Sequence, residues 1–422
     1  MNQSINDNQY SNLRILFIGP YPPPFGGISS LIKSLVEGLK EKNIDDAFVL
    51  YFGNTNSIKK VEGATLYVRS VKKNVWRAFN PINLRLVPSL LRAYSGYNLS
   101  LKDYLEIFVK TILTDNIVKE HKINTTNFYQ SDYSLHLLLC KELWKSKVSV
   151  VLQVFGELYD LSPQYVASKK GIFFEMLHVS DAIISSSCHC AESFKIIGNK
   201  REINVIFIGV SISRFSDNNS LRSPYRNKLG VKEEEIVLLF MGRFNKEMGL
   251  HAIIEMIPFL MDSKINFHVV LAGAVGELVK NALECQLQYP ENITVMNDIP
   301  FDLQPSLYAA SDIVLAPSRD KHACMGVTIK EAMAASLPVI ASDSGGIPEA
   351  IIHEETGIIV PLKQDGENDT KNYIEAILSL SEDVSKRRLF AKNSRKRASE
   401  IFSEEETLTK TIDIFNSYAP KE

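Results

Sequence analysis

Two short stretches of the chain combine residue types that suit a charged, hydroxyl-bearing ligand. In one of them a loop turns at Gly326 and a helix begins beside it, with Glu331 in its first turns. The free N–H groups of a helix N-terminus attract phosphate, and a glycine lets the backbone approach it closely. The Glu331 carboxylate can accept hydrogen bonds from hydroxyl groups. On spacing alone, an acid that only stabilises the first helical turn is the preferred interpretation.

The other stretch is Gly242-Arg243, with Lys246 three residues later. It follows an apolar run over 236–241 that is typical of a buried strand, and a helical pattern starts near Leu250. Five further runs in this half indicate strands, at 267–272, 293–296, 313–316, 337–341 and 358–360. Strands that alternate with helices predict a doubly wound parallel sheet, which binds ligands at the carboxyl ends of its strands.

The N-terminal half shows the same alternation. An apolar run over 15–18 precedes a Pro/Gly loop that ends in Gly26-Gly27, and apolar residues at helical spacing follow. Further strand-like runs occupy 148–155, 182–184 and 205–208. We therefore expect two doubly wound parallel-sheet α/β domains, and ligands to bind between their carboxyl edges. The predicted limits are 1–208, 209–395 and a last helical segment, 396–422.

Composition narrows the class of protein. The chain has 422 residues, with 47 Lys+Arg against 49 Asp+Glu, so its net charge of -2 gives no general attraction to nucleic acid. The N-terminus is polar and lacks the apolar core of a secretory signal, and no apolar run reaches the ~18 residues that span a bilayer. These features predict a cytoplasmic protein.

One segment, Ile58 to Ser95, is strongly basic. Glu62 is its only acid, and Trp76, Phe79 and several aliphatic residues lie among its lysines and arginines. Such a stretch suits the surface of an anionic membrane, which would make the protein peripheral on the inner face. A solvated helical face packed on the sheet is the other interpretation, and the pattern does not separate the two.

Taken in order, several motifs resemble the retaining glycosyltransferases with the GT-B fold, of the group-1 or family-4 type. The matching motifs are Gly26-Gly27, Gly209-Val210 with Phe215, Gly242-Arg243, Tyr308 with Asp312, Pro317-Ser318, Met325-Gly326, Glu331-Ala332-Met333-Ala334, Pro338-Val339-Ile340, Gly345-Gly346 with Glu349, and Thr356-Gly357. The resemblance is most specific from Asp312 to Gly357 and weak from Asn54 to Asp132.

The resemblance implies the GT-B fold, α/β with two doubly wound parallel-sheet domains facing a central cleft. The first domain would bind a glycan or lipid-linked acceptor of surface glycan synthesis, and the second a nucleotide-sugar donor. Catalysis is assigned to Arg243, Lys246 and Glu331. Donor contacts are assigned to Gly26, Gly27, Gly242, His322, Met325, Gly326, Val327 and Thr328. Cations and backbone N–H groups would stabilise the negative charge on the departing diphosphate, so a metal-independent hexosyl transfer with retention and no cofactor is expected.

Three positions depart from the family's pattern. Ala323 stands where relatives have an acid for the donor sugar, Met248 where they have a lysine, and Phe155 where many have a histidine. The residues that can supply the missing polar groups are His322, Lys246 and Glu157, and each has a purely structural role as its alternative. Loss of three polar groups leaves a second class open, a non-catalytic GT-B partner that binds or stabilises an active glycosyltransferase. An epimerase or phosphorylase of the same fold is less favoured.

Overall fold

The computed structural model describes residues 10, 12–22, 27–44, 46–216 and 218–420. Its chain divides into two compact units, residues 1–207 with 407–422 and residues 208–406. The first limit differs by one residue from the predicted one. The predicted start of the last segment at 396 falls inside the second unit, because residues 384–401 form one helix in which the Ser394 hydroxyl donates to the Thr356 carbonyl (2.6 Å).

The first unit contains a single sheet of eight strands. They are β1 (Ile15–Ile18), β2 (Ala47–Phe52), β3 (Ser57–Val61), β4 (Ala64–Arg69), β5 (Thr125–Tyr129), β6 (Ser149–Val154), β7 (Ala182–Ser185) and β8 (Asn204–Val205). Their order is β3-β4-β2-β1-β5-β6-β7-β8, and every neighbouring pair is parallel except β3 and β4. The strand predicted over 205–208 is wrong beyond Val205.

Helices cover this sheet and supply its core. They are α1 (Gly27–Glu41), α2 (Val71–Asn74), α3 (Pro81–Leu84), α4 (Val87–Tyr94), α5 (Leu101–Glu120), α6 (Leu137–Trp144), α7 (Glu157–Asp160), α8 (Pro163–Val179) and α9 (Cys188–Ser193), with 3-10 turns at Val75–Phe79 and Phe194–Ile197. The apolar stripe of α1 at Leu31, Ile32, Leu35 and Val36 is buried, as its helical spacing predicts.

The second unit contains a six-stranded, fully parallel sheet. Its strands are β9 (Ile236–Met241), β10 (Phe267–Gly273), β11 (Ile293–Asn297), β12 (Ile313–Ala316), β13 (Val339–Ser342) and β14 (Gly357–Val360). Their order is β11-β10-β9-β12-β13-β14. All six lie within two residues of the predicted runs. The strands are apolar on both faces because helices cover both sides of a parallel sheet.

The helices of this unit are α10 (Asn218–Leu229), α11 (Leu250–Met261), α12 (Val279–Gln288), α13 (Gln304–Ala310), α14 (Val327–Ala334), α15 (Ile347–Ala350), α16 (Thr370–Glu382) and α17 (Val384–Ile401), with short 3-10 turns at Ser213–Phe215 and Phe301–Leu303. A last helix, α18 (Glu404–Tyr418), belongs to the first unit from Thr407 onward. There Leu408 packs against Gly38 of α1, and Phe415 lies 6.1 Å from the ring of Phe17. None of the described helices has the length and apolar content that crossing a membrane requires.

Candidate functional site

The strand order of the second unit defines where a ligand fits. β10 and β11 lie on one side of β9, whereas β12, β13 and β14 lie on the other. The chain therefore continues from β9 and from β12 toward opposite edges of the sheet, and open α/β sheets bind ligands in the crevice at such a switch point. The two loops are 242–249 and 317–326, and they carry most of the residues that the sequence singled out.

Main-chain contacts hold these two loops together. The Arg319 N–H donates to the Glu247 carbonyl (2.7 Å), and the Ser318 hydroxyl donates to the same oxygen (3.3 Å). Gly249 has φ +77°, and a Cβ there would lie 1.9 Å from the Pro317 carbonyl oxygen. Only glycine tolerates both that conformation and that approach, so the crossing of the loops depends on it.

The loop that follows β13 supports the loop 317–326. Gly345 has φ +54°, and a Cβ there would lie 2.5 Å from the Ala323 carbonyl oxygen. The Gly346 N–H donates to that same oxygen (2.8 Å). The backbone of Ala323 thus anchors the loop, even though its side chain cannot replace the acid that relatives carry there.

Arg243 and Lys246 stand at the exposed rim of the crevice. Both side chains are exposed, and neither forms a hydrogen bond or an ion pair with any residue that the structure describes. Their backbone is fixed, however, since the neighbouring Phe244 is fully buried and its N–H donates to Ala274 (3.0 Å). Two positive charges without a protein partner on a fixed loop are suited to an anionic ligand.

The start of α14 faces the same edge. Gly326 has φ +73° and precedes the helix, and no side chain among the described residues caps this end. The first backbone N–H groups of α14 are therefore not occupied by a side-chain acceptor, and the helix dipole is positive there. Val327 and Thr328 are half-buried at this end, whereas the Met325 side chain is buried and can contribute only its backbone.

His322 lies earlier in the same loop and is half-buried. Its N–H donates to Asp320 Oδ1 (2.8 Å), and the Asp320 N–H donates to the Ser318 hydroxyl (3.2 Å). These two bonds fix the backbone between the end of β12 and Gly326. His322 is therefore placed on an ordered loop beside Ala323.

Glu331 lies in α14 and is held by two other residues. The Tyr308 hydroxyl donates to its Oε2 (2.9 Å), and Arg214 lies 3.7 Å from its Oε1. Burial raises the pKa of Glu331, while Tyr308 and Arg214 act to lower it. The side chain remains 12% exposed. Glu331 is thus a fixed acceptor rather than a simple first-turn acid.

Sequence reasoning missed Arg214 and Lys330. Arg214 stacks on Phe301, with 3.5 Å between its guanidinium carbon and the ring centroid, and it pairs with Glu331. Its only signal in the sequence is its place next to Phe215, which the family pattern includes. Lys330 is buried and donates to the Ile208 carbonyl (2.6 Å), and burial lowers its pKa to about 7.

The other two departures from the family pattern have local structural roles. Met248 is half-buried and packs against the core of the second unit. Phe155, in the first unit, is buried and stacks on Tyr129 with ring centroids 6.4 Å apart. Glu157 is buried as well, and accepts from the N–H groups of Ser131 (3.0 Å) and Phe155 (2.6 Å). Of the two roles left open for Glu157, the structure gives it the local one.

The remaining predicted contacts are glycines. Gly242 follows β9, and its N–H donates to the Ala272 carbonyl (3.0 Å). Gly27 is the first residue of α1 in the other unit, where a Cβ would meet nothing within 4 Å. Gly26 lies outside the described residues. The structure thus brings Arg243, Lys246, Gly326 and Glu331 into one unit, together with Gly242, and places Gly27 in the other.

Comparisons with known proteins find a matching family model and matching curated relatives. A family model described as glycosyl transferases group 1 matches residues 222–397. An uncharacterized glycosyltransferase of Methanocaldococcus jannaschii is 28% identical over 219 residues, which are 51% of this chain and 54% of that protein. A D-inositol 3-phosphate glycosyltransferase of Corynebacterium efficiens is 29% identical over 37% of this chain and 39% of its own. The chain therefore spans only about half, or less, of the length of these curated relatives.

Solved structures match both units. Anabaena HepE, crystallised in complex with UDP, superposes with a TM-score of 0.70 and 18% sequence identity, covering 96% of this chain and all of its own. A likeness at this level of identity shows the fold. Residues 222–397 thus match the family model of the group 1 glycosyl transferases, and the chain has the GT-B fold of two parallel-sheet α/β domains.

Proposed function

We propose that the protein transfers a sugar from a nucleotide-sugar donor to a glycan or lipid-linked acceptor of surface polysaccharide or glycoconjugate synthesis, with retention of anomeric configuration. One observation carries the proposal. Two unpaired cations, Arg243 and Lys246, and the uncapped start of α14 stand on the two loops that leave the switch point of the sheet. This combination suits a diphosphate, the leaving group of a nucleotide sugar.

The chemistry follows from where charge develops. As the bond between the sugar and the diphosphate breaks, negative charge grows on the diphosphate oxygens. Arg243 and Lys246 neutralise that charge, and the N–H groups that follow Gly326 donate hydrogen bonds to it. These groups stabilise the transition state more than the bound donor, which is the condition for acceleration.

Glu331 takes the nucleoside part of the donor. Its carboxylate is fixed by Tyr308 and Arg214 in a side chain that remains 12% exposed, and its remaining lone pairs accept bonds from ribose hydroxyls. HepE, a structural neighbour, has been crystallised with UDP and with UDP-glucose, which supports a nucleotide sugar as the donor here.

A panel of nucleotide sugars tests the proposal directly. Thermal shift and donor turnover are measured for the wild type, Arg243→Ala and Glu331→Gln; the glutamine keeps the Tyr308 hydrogen bond. We expect one donor to raise the melting temperature and to be turned over, and both variants to lose the effect. A protein that no donor shifts at millimolar concentration would contradict the proposal and favour the non-catalytic partner, for which the comparisons offer no support. Nuclear magnetic resonance of the product anomer tests retention.

Metal independence is part of the proposal, because cationic side chains supply the positive charge that a divalent ion supplies elsewhere. Turnover is expected to stay within about twofold after dialysis against excess EDTA, and to stay unchanged when magnesium is returned. A loss that magnesium restores would show that a metal takes part.

We propose further that the basic segment rests on the inner face of an anionic membrane. No aspartate or glutamate occurs between Gly63 and Lys102. Three large apolar side chains of this stretch are mostly exposed, Trp76 at 61%, Phe79 at 67% and Ile82 at 72%. Exposed apolar groups among cations, of which Arg92 pairs with Glu142 (2.8 Å), suit a membrane interface.

Part of the segment has another role. Lys59 and Lys60 are exposed on β3, at the edge of the sheet, where charge prevents pairing with a second chain. The membrane proposal therefore rests on the residues from 71 onward, and not on the whole of 58–95.

Flotation with liposomes tests it. Binding to vesicles with anionic lipid and not to neutral vesicles is expected, and Trp76→Ser with Phe79→Ser should abolish it. Leu287→Ser, which changes a 79% exposed side chain of α12, is the matched control and should bind normally. Equal binding to neutral and anionic vesicles would contradict the electrostatic part.

A further inference from the structure

The first unit contains a cavity of about 690 Å³ that no motif of the sequence indicated. Its floor is the carboxyl edge of the sheet, at the ends of β1, β2 and β5. Residues of α2, of the turn after it and of α5 complete the lining. A cavity of this size at the carboxyl edge of a parallel sheet suits a small ligand.

Much of the lining is apolar. Its apolar residues include Phe52 at the end of β2, Val71 of α2, Val75 of the turn after it, and Leu105 of α5. Val75 begins the 3-10 turn Val75–Phe79, whose Trp76 and Phe79 are mostly exposed. One short helix thus contributes both to the cavity and to the exposed apolar face.

The charged lining is mainly positive. Lys72, Lys102 and Lys110 line the cavity, against a single acid, Glu106. Lys110 is buried, pairs with Glu106 (2.8 Å) and lies over the ring of Phe52. Lys72 and Lys102 are exposed and form no ion pair or hydrogen bond with any described residue. Two positive charges are therefore left for a ligand, one on α2 and one on α5.

We propose that this cavity binds the acceptor, and that the acceptor carries a phosphate or diphosphate next to an apolar group. The phosphate oxygens pair with Lys72 and Lys102, and the apolar group lies between Val75 and Leu105. The proposal rests on the proposed function, because it names the class of acceptor for the same transfer. Because the cavity recognises both the phosphate and the apolar group, a ligand with only one of them binds less tightly.

Calorimetric titration of the full chain tests this with geranyl diphosphate, geraniol and inorganic diphosphate as probes. Saturating UDP is added so that a diphosphate does not fill the donor site. We expect geranyl diphosphate to bind at least about tenfold more tightly than either other probe, since each lacks one of the two recognised parts. If geraniol binds as tightly as geranyl diphosphate, the cavity does not recognise the phosphate. If inorganic diphosphate binds as tightly as geranyl diphosphate, the cavity does not recognise the apolar group.

Substitution of the two unpaired lysines of the lining tests whether the probe binds in the cavity. Lys72→Gln and Lys102→Gln should each weaken geranyl diphosphate about tenfold, because a charged hydrogen bond is lost. Lys147→Gln, an exposed lysine of the same unit that does not line the cavity, is the matched control and should bind normally. If both cavity variants bind like the wild type, or if Arg243→Ala abolishes binding instead, the inference is wrong.

Failure here can be told from failure of the proposed function. The thermal shift by nucleotide sugars depends on the second unit and is measured without geranyl diphosphate. A donor shift without binding in the cavity overturns only the acceptor inference. Binding in the cavity that depends on the two lysines, with no donor shift, supports the ligand class and overturns the transfer.

Discussion

The two units form their candidate sites in different ways. In the second unit, main-chain atoms and glycines define the crevice: Gly249 lets one loop cross Pro317, and Gly345 lets another rest on Ala323. In the first unit, side chains from six elements line the cavity, and both α2 and α5 contribute apolar groups as well as lysines. The crevice of the second unit is shaped by the main chain and has a few cations at its rim. The cavity of the first unit is shaped by the side chains that line it.

This difference explains what the comparisons detect. A site made by the main chain needs glycine at fixed positions, so its spacing persists in the sequence, and the family match covers 222–397 within the second unit. A site made by side chains can change its lining while the fold stays the same. The crevice of the second unit is therefore recognisable from sequence, whereas the cavity of the first unit is found only from the structure.

The largest expected effect tests the few cations of the second unit. Arg243→Ala should reduce kcat/KM for transfer by about 10²–10³-fold, because one preorganised charge at the leaving group is lost. Its melting temperature should not change, since the side chain is exposed and unpaired among the described residues. Steady-state kinetics with the identified donor measure it.

Lys371→Ala is the control, an 85% exposed lysine of α16 whose loss should leave the kinetics unchanged. An equal loss in both variants would mean that general surface charge, and not a charge at the crevice, supports turnover. The contrast between the two sites would then lose its basis.

The next effect tests whether the main chain defines the crevice. Gly249→Ala should lower the unfolding free energy by about 2–4 kcal/mol, from the left-handed conformation and the clash with Pro317 together. Hydrogen exchange of peptides from the second unit, followed by mass spectrometry, measures it. Gly366→Ala is matched in conformation, with φ +82°, but a Cβ there meets nothing within 4 Å, so only about 1–2 kcal/mol is expected. Equal losses would show that the close approach of the loops is unimportant.

Much of the second unit could be predicted from the sequence. Short apolar runs gave all six strands, and the glycines and cations after them lie at the predicted edge of the sheet. The roles of Arg243, Lys246 and Glu331 stay predictions. The pairing of Arg214 with Glu331 could not be found, because it joins residues far apart in the chain and no local pattern records it.

The first unit was predicted less well, for a physical reason. β3 is an exposed edge strand that carries Lys59 and Lys60, so it lacks the apolar run that marks a buried strand. The basic segment divides among two strands, three helices and a 3-10 turn, and periodicity cannot identify those of its elements that have only four or five residues. Its cavity depends on how these pieces pack.

A smaller effect tests the side chains of the first unit. Burial raises the pKa of Glu157 from an ordinary value of 4.5 to about 7, against hydrogen bonds from Ser131 and Phe155. The folded chain therefore binds the proton more tightly than the unfolded chain does, and stability falls as pH rises through this range. Between about pH 5.5 and about pH 8 the unfolding free energy should fall by roughly 2 kcal/mol from this group.

Tryptophan fluorescence during urea unfolding measures this in the first unit, because Trp76 and Trp144 are the two tryptophans of the chain. Glu157→Gln keeps the shape of the side chain but does not titrate, so its stability should lack this part of the pH dependence. If the variant and the wild type show the same dependence, Glu157 is charged throughout and its hydrogen bonds outweigh its burial.

The smallest effect concerns how a neighbour tunes Glu331. Tyr308→Phe removes the hydrogen bond to Oε2 and should weaken donor binding by about fivefold, or about 1 kcal/mol. Since that bond acts to lower the pKa of Glu331, its loss raises the pKa further. The protonated acid accepts ribose hydroxyls less well, so donor affinity should begin to fall at a higher pH than in the wild type. Titrations of UDP across the pH range measure this. A uniform weakening at every pH would mean that Tyr308 positions the Glu331 carboxylate without changing its charge. The proposed donor site would then depend on the position of this acid and not on its pKa.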